Sequence, residues 1–185
     1  MNRRSKFVHN LFLGKLYYRG EGVVQNFEEA VKFFELASKM ESDWALYYLG
    51  ECYFYGKGVE KDAEKAVEYY TEAANKGVVL AASTLGDRYS YGEGVKKDFA
   101  EAVKWYAVAA DAGNEWAQNK LANCYYYGDG VEQDEAKALE YFKKSAEAGN
   151  KNSMSRLGEC YYYGRGTEQN YEEAFKWYQT AAEAG

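Results

Sequence analysis

Ala45–Gly77 reads ALYYLGECYFYGKGVEKDAEKAVEYYTEAANKG, two apolar patterns parted by Gly56-Lys57-Gly58. Ala45, Leu46, Leu49, Cys52 and Tyr53 recur at the three- and four-residue spacing that gathers side chains on one helix face. Beyond the glycines, Ala66, Tyr69, Tyr70 and Ala73 do the same. Asp62 stands where the second helix opens, and its side chain suits the first free backbone N–H groups. Gly77 stands where that helix closes, a place that favours a left-handed residue. The stretch is a helix-turn-helix unit.

Working outward, the unit recurs along the chain. Gly-x-Gly appears as Gly20/Gly22, Gly56/Gly58, Gly92/Gly94, Gly128/Gly130 and Gly164/Gly166, each pair 36 residues after the last. Leu13, Leu49, Leu85, Leu121 and Leu157 keep the same register, as do Ala30, Ala66, Ala102, Ala138 and Ala174. The expected N-caps are Asn26, Asp62, Asp98, Asp134 and Asn170. The chain therefore reads as one all-α domain over residues 1–185, a solenoid of five 36-residue repeats. Their bounds are 5–40, 41–76, 77–112, 113–148 and 149–185.

Bulk composition narrows the function. With 47% hydrophobic residues the chain can bury a sizeable core, so it is not a disordered tail. A net charge of -6 argues against nucleic acid, whose binding rests on clustered Lys and Arg. No apolar run approaches the roughly 18 residues of a membrane span. Arg3-Arg4 resembles the basic start of a signal peptide, but Phe7 to Leu13 contains His9 and Asn10, and no small-residue cleavage site follows. A cytoplasmic protein is expected.

The second unit's Ala45, Leu49-Gly50, Tyr53, Gly56-Lys57-Gly58-Val59, Asp62, Lys65-Ala66, Tyr69-Tyr70, Ala73-Ala74 and Gly77 resemble the Sel-one-like repeat, a relative of the tetratricopeptide repeat. The resemblance covers essentially the whole chain. It is weakest in the first repeat, where His9 replaces the helix Ala, Glu29 the Lys and Glu41 the closing Gly. The fifth has Thr167 for Val and Glu173 for Lys. The resemblance implies a right-handed α/α superhelix of antiparallel helix pairs, used as an adaptor in multiprotein assemblies. By itself it implies no chemistry.

Catalytic motifs do not assemble. The Gly-x-Gly pairs lack the preceding strand and third glycine of a phosphate-binding loop, and they read as turns needing positive φ. Asp129, Glu132, Asp134 and Glu135 lack the alternating spacing of a calcium loop. His9 is the only histidine, so no His-based triad or multi-histidine metal site can form. Cys52, Cys124 and Cys160 share one register on the buried face and are expected as free thiols, since stacked repeats hold them beyond the roughly 7 Å reach of a disulfide. No cofactor, metal or catalytic residue is expected.

What remains is surface. Stepping 100° per residue from Leu49 puts Trp44, Tyr47, Glu51, Phe54 and Tyr55 on the far side of the first helix. In tetratricopeptide proteins the matching positions line a concave groove, so the resemblance assigns the groove Trp44, Tyr47, Glu51, Phe54, Ser83, Asp87, Trp116, Asn119, Asn123, Tyr126, Glu159 and Tyr162. The column Tyr55, Tyr91, Tyr127 and Tyr163 either packs beneath the glycine turns or joins that wall. Trp44, Tyr47, Trp116 and Asn123 vary between repeats, as purely structural positions should not. Aromatic, acidic and amide groups in one wall suit a protein or peptide segment carrying basic and apolar residues. The alternatives are a self-assembling element that associates through its repeat ends and, by resemblance to cysteine-rich relatives, a hydrolase.

Overall fold

The computed structural model describes residues 3–185, with side chains from Val8 onward. Arg3-Arg4 and Phe7, weighed above as a targeting signal, lie outside the described side chains. Among the described residues the chain forms ten α-helices and no strand, the architecture of an all-α repeat solenoid. The helices are α1 (Arg3–Arg19), α2 (Phe27–Ser38), α3 (Asp43–Tyr55), α4 (Ala63–Asn75), α5 (Val79–Tyr91), α6 (Phe99–Asp111), α7 (Glu115–Tyr127), α8 (Glu135–Glu147), α9 (Lys151–Tyr163) and α10 (Tyr171–Glu183). They gather into two compact units, residues 1–97 with α1 to α5 and residues 98–185 with α6 to α10. None is long and apolar enough to cross a membrane.

The helix boundaries follow from the residues expected there. The Asn26, Asp62, Asp98, Asp134 and Asn170 side chains accept hydrogen bonds from the backbone N–H groups of Glu29, Lys65, Glu101, Lys137 and Glu173. Odd-numbered helices α3, α5, α7 and α9 end on Gly56, Gly92, Gly128 and Gly164, all left-handed. At the close of the first repeat Glu41 takes φ 66°, the one described residue other than glycine with positive φ. It occupies the register of Gly77, Gly113 and Gly149, so the turn geometry persists where the glycine does not, at a strain of about 1 kcal/mol.

Two columns carry the core. Leu49 and Leu85 of the first unit, and Leu121 and Leu157 of the second, are buried. So are the rings at a single register of the even-numbered helices, Phe34 and Tyr70 in the first unit and Tyr106 and Phe142 in the second. Small residues on the odd helices make room for these rings: a Cβ added at Gly50 would sit 2.6 Å from the Tyr70 ring. From the second turn onward, the second glycine rests on the backbone that opens the preceding even helix, Gly58 on Phe27, Gly94 on Ala63, Gly130 on Phe99 and Gly166 on Glu135. That contact sets the spacing between neighbouring repeats inside each unit.

Candidate interaction surfaces

In the first unit the expected wall is largely filled from within. Trp44 is exposed, and Glu51, Phe54 and Asp87 are half-buried. Tyr47 and Ser83, expected to face a partner, are buried instead. Stepping around one helix cannot register the neighbouring repeat, and this column faces it. Tyr47 lies against Tyr70 and edge-on to Trp44, with ring centroids 5.8 and 6.0 Å away. Burial, then the nearby Glu51 carboxylate, raise the Tyr47 phenol above its ordinary pKa.

Cations of the chain itself cover the remaining aromatic faces. Lys15 stands 5.7 Å from the Trp44 ring, and the Arg88 guanidinium lies 4.0 Å from that of Phe54. Arg88 occupies the register of the three cysteines, a core position that sequence reasoning did not single out. Its Nη1 pairs with Glu93 at 2.8 Å, while its Nε is buried without a partner. The Glu51 carboxylate accepts the Tyr70 hydroxyl at 2.7 Å.

The second unit differs. Asn119 and Tyr126 are buried, again contrary to the expected exposure. Asn119 belongs to the Tyr47 column and points into the next repeat, where its Nδ2 donates to Ser153 Oγ at 2.7 Å. Ser153 Oγ donates to Ser145 Oγ, which donates to the Glu115 carbonyl, at 2.7 and 2.6 Å. Tyr126 packs on Phe142, with the Arg165 guanidinium 5.3 Å from its ring. Trp116 and Tyr162 are exposed, and Asn123 and Glu159 are half-buried.

Between α7 and α9 lies an open cleft of about 450 Å³, lined by Asn119, Asn123, Asn152, Ser155, Arg156, Glu159 and Tyr178. Arg156 donates to Glu159 at 2.9 Å and to the Tyr127 hydroxyl at 3.0 Å, so the cleft's one cation and one carboxylate neutralise each other. Asn123 Nδ2 donates to the Asn119 carbonyl at 2.8 Å and to the Asn119 amide oxygen at 3.3 Å. Arg156 and Tyr178 were not among the expected site residues. Arg156 shares a column with Phe12, Tyr48, Thr84 and Lys120, and that variability was the available signal.

The three thiols are free and buried. Burial, reinforced by neighbouring carboxylates, pushes Cys52 up to about 12 and Cys124 and Cys160 up to about 11. A thiol held in that form at neutral pH is a poor nucleophile. No group of three or more His, Cys, Asp or Glu among the described residues could hold a metal.

The Sel1 repeat model matches residues 10–42, 45–78, 79–114, 117–150 and 151–185. No curated protein matches the chain in sequence. Among solved structures, c5321 of uropathogenic Escherichia coli, a protective antigen displaying an SLR fold, is 33% identical with a TM-score of 0.95. That match covers 98% of this chain and 39% of the E. coli chain, so this chain spans about two fifths of its relative. A Sel1 repeat protein from Oxalobacter formigenes is 30% identical, TM-score 0.91, over 98% of this chain and 75% of its own. The cysteine-rich protein B of Helicobacter pylori, 22% identical with a TM-score of 0.54 over 68% of this chain and 90% of its own, shares the fold alone. With five matched repeats spanning nearly every residue, and the turn glycines, caps and core columns in register, this chain belongs to the Sel1 repeat family.

Proposed function

We propose that this chain is a non-enzymatic interaction scaffold that binds an extended protein segment in the second-unit cleft between α7 and α9. Sel1 repeat proteins generally mediate protein–protein interaction. The observation that carries the finer reading is the cleft itself, about 450 Å³ with three asparagines in its lining. An amide side chain offers a donor and an acceptor together, the pair that a peptide backbone presents in return. Trp116 on α7 lies three and seven residues before Asn119 and Asn123, so one helix face offers an apolar anchor beside the amides.

This reading revises the kind of partner. The sequence suggested Lys or Arg between apolar anchors, drawn by Asp87, with Glu51 and Glu159 on either side, and by aromatic faces. Glu51 is engaged by Tyr70, Glu159 by Arg156, and the Trp116 ring has Lys120 at 4.6 Å. A neutral backbone with an apolar side chain near Trp116 fits these surroundings better than a basic segment. The raised thiol pKa values argue against a cysteine nucleophile and support the non-enzymatic reading. A cytoplasmic setting belongs to the same proposal, since three reduced thiols suit a reducing compartment.

The test is selection of binders from a random-peptide display library, followed by calorimetric titration. Asn123→Leu should weaken a selected peptide about tenfold or more, and Trp116→Ala should cost roughly 2 kcal/mol. Circular dichroism controls for folding. Unchanged affinity in both variants would move the site elsewhere.

A further inference from the structure

Where the odd-numbered helices end, the turn of one repeat meets the aromatic rings of the repeat before it. In the first unit Lys57 Nζ stands 4.7 Å from the Tyr18 ring, 5.2 Å from Tyr55 and 5.5 Å from Phe27. It also donates to the Tyr18 hydroxyl at 2.9 Å. One repeat later the same register holds Glu93, which pairs with Arg88 at 2.8 Å. At both junctions the charge in this register has a polar partner inside the unit.

The matching junction of the second unit lacks one. Arg165 occupies the Lys57 register, its guanidinium carbon 5.3 Å from the Tyr126 ring and 5.4 Å from Tyr163. It pairs with no carboxylate among the described residues. Tyr126, in the Tyr18 register, is 6% exposed, and its hydroxyl is buried without a hydrogen-bond partner. Such a hydroxyl has lost its water and gained nothing in exchange. Packing does not require it, since Phe54 fills the same register in the first unit with no hydroxyl. The place is open to an approaching group. Arg165 is half-buried, as Lys57 is, and Tyr55 and Tyr163 beside them are 55 and 58% exposed.

We propose that Arg165 and Tyr126 form a carboxylate subsite where the α7 wall of the second-unit cleft runs on to the turn. The inference rests on the peptide reading above and names the charge of the segment that the cleft takes. A guanidinium and a phenol hydroxyl are both donors, and one carboxylate accepts from the two together. The guanidinium turns from the ring faces toward the incoming oxygens, which opens the Tyr126 hydroxyl to the same group. The helix sets the spacing. Trp116, Asn119, Asn123 and Tyr126 follow one face of α7, and Tyr126 lies about 15 Å along the axis from Trp116. An extended segment advances about 3.3 Å per residue, so its carboxylate stands about four to five residues from its apolar anchor. An Asp or Glu side chain and a free chain end present the same group.

The experiment uses the 185-residue chain, the variants Arg165→Gln, Tyr126→Phe and Asn123→Leu, and a peptide selected on the parent from a library displayed with free C-termini. The peptide is synthesised as selected, with Asp and Glu replaced by Asn and Gln, and with its C-terminus amidated. In calorimetry one of the two altered forms should bind the parent about tenfold more weakly, and which one it is identifies the source of the carboxylate. Arg165→Gln should bind the selected form about tenfold more weakly than the parent does, and that altered form unchanged. Tyr126→Phe should weaken the selected form about threefold while its urea midpoint holds or rises, a combination that a purely structural hydroxyl does not give. Circular dichroism is the folding control. A peptide that responds to Asn123→Leu and not to Arg165→Gln overturns the subsite and leaves the cleft standing, and one that responds to neither overturns both. Equal losses for the charged and neutral forms on Arg165→Gln also overturn the subsite, since they would report lost packing.

Discussion

The two units are built on one backbone pattern, yet they treat the same columns differently. In the first, aromatic rings fill the odd-helix face and the chain's own cations close over them, Lys15 on Trp44 and Arg88 on Phe54. In the second, Trp116 and Tyr126 keep those columns aromatic with Lys120 and Arg165 over them. The Tyr47 column, however, turns to Asn119 and Ser155, and a cleft stays open between α7 and α9. The helix starts differ as well. Asn114 and Asn150 cap α7 and α9 with side-chain hydrogen bonds, while Ser42 and Val78 before α3 and α5 make none. The repeat keeps the backbone constant through its glycines, leucines and caps. What it leaves to vary decides whether a face is sealed or offered.

The sharpest test of that contrast is one methyl group. Gly50→Ala should cost about 2 kcal/mol, because the added Cβ meets the buried Tyr70 ring, which is tied to Glu51 and cannot swing away. Gly158→Ala in the second unit faces the half-open Tyr178 ring and should lie within about 0.5 kcal/mol of the parent, helped by the gain in helix propensity. Urea denaturation reads both. Ala122 already holds this register opposite Phe142, a ring with no hydroxyl to anchor. Tyr70→Phe should therefore recover part of the Gly50→Ala loss, and equal costs at the two glycines would break the comparison.

A reciprocal swap probes the polar interior. Ser153→Ala leaves the Asn119 amide and the Ser145 hydroxyl without their partner, and Ala45→Ser buries a hydroxyl where the first unit has an apolar core. Each should lower stability by about 1–2 kcal/mol, measured by the same denaturation midpoint. A neutral Ser153→Ala would show that the hydroxyl chain contributes nothing to the second unit.

The smallest effect at neutral pH, and one that grows in alkali, comes from the thiols. Folded Cys52, Cys124 and Cys160 hold their protons more tightly than the unfolded chain, whose thiols titrate near 9. Their contribution is whole below pH 9 and declines as pH rises through 11 to 12. The buried Tyr47 and Tyr70 hydroxyls of the first unit shift in the same direction. Thermal melts should be flat from pH 7 to 8.5 and fall above pH 9, and iodoacetamide should label three cysteines only after denaturation. A melting temperature that rises above pH 9 would contradict the sign.

The fold was legible because a 36-residue period repeats its caps, turn glycines and core columns five times, so each assignment was checked by four others. The binding face was legible only in part. A helical wheel drawn on one helix separates its packed side from the rest, but it cannot tell which flank the following repeat will cover. Tyr47, Ser83 and Asn119 fell on that flank. Arg88 and Arg156 escaped notice for a related reason, since the rings they meet, Phe54 and Tyr127, come from the preceding repeat.

The two kinds of glycine turn also divide the molecule into places that can be cut open and places that cannot. Gly77, Gly113 and Gly149 have open space around them, while Gly58, Gly94, Gly130 and Gly166 press on a neighbouring backbone. An epitope tag or reporter domain spliced in after Gly77 or Gly149 enters solvent and leaves the stacking intact. The same insertion after Gly58 or Gly166 would act as a wedge. The turns on one edge of the repeat thus form a permissive grafting edge, and those on the other a hinge line that holds the array in step.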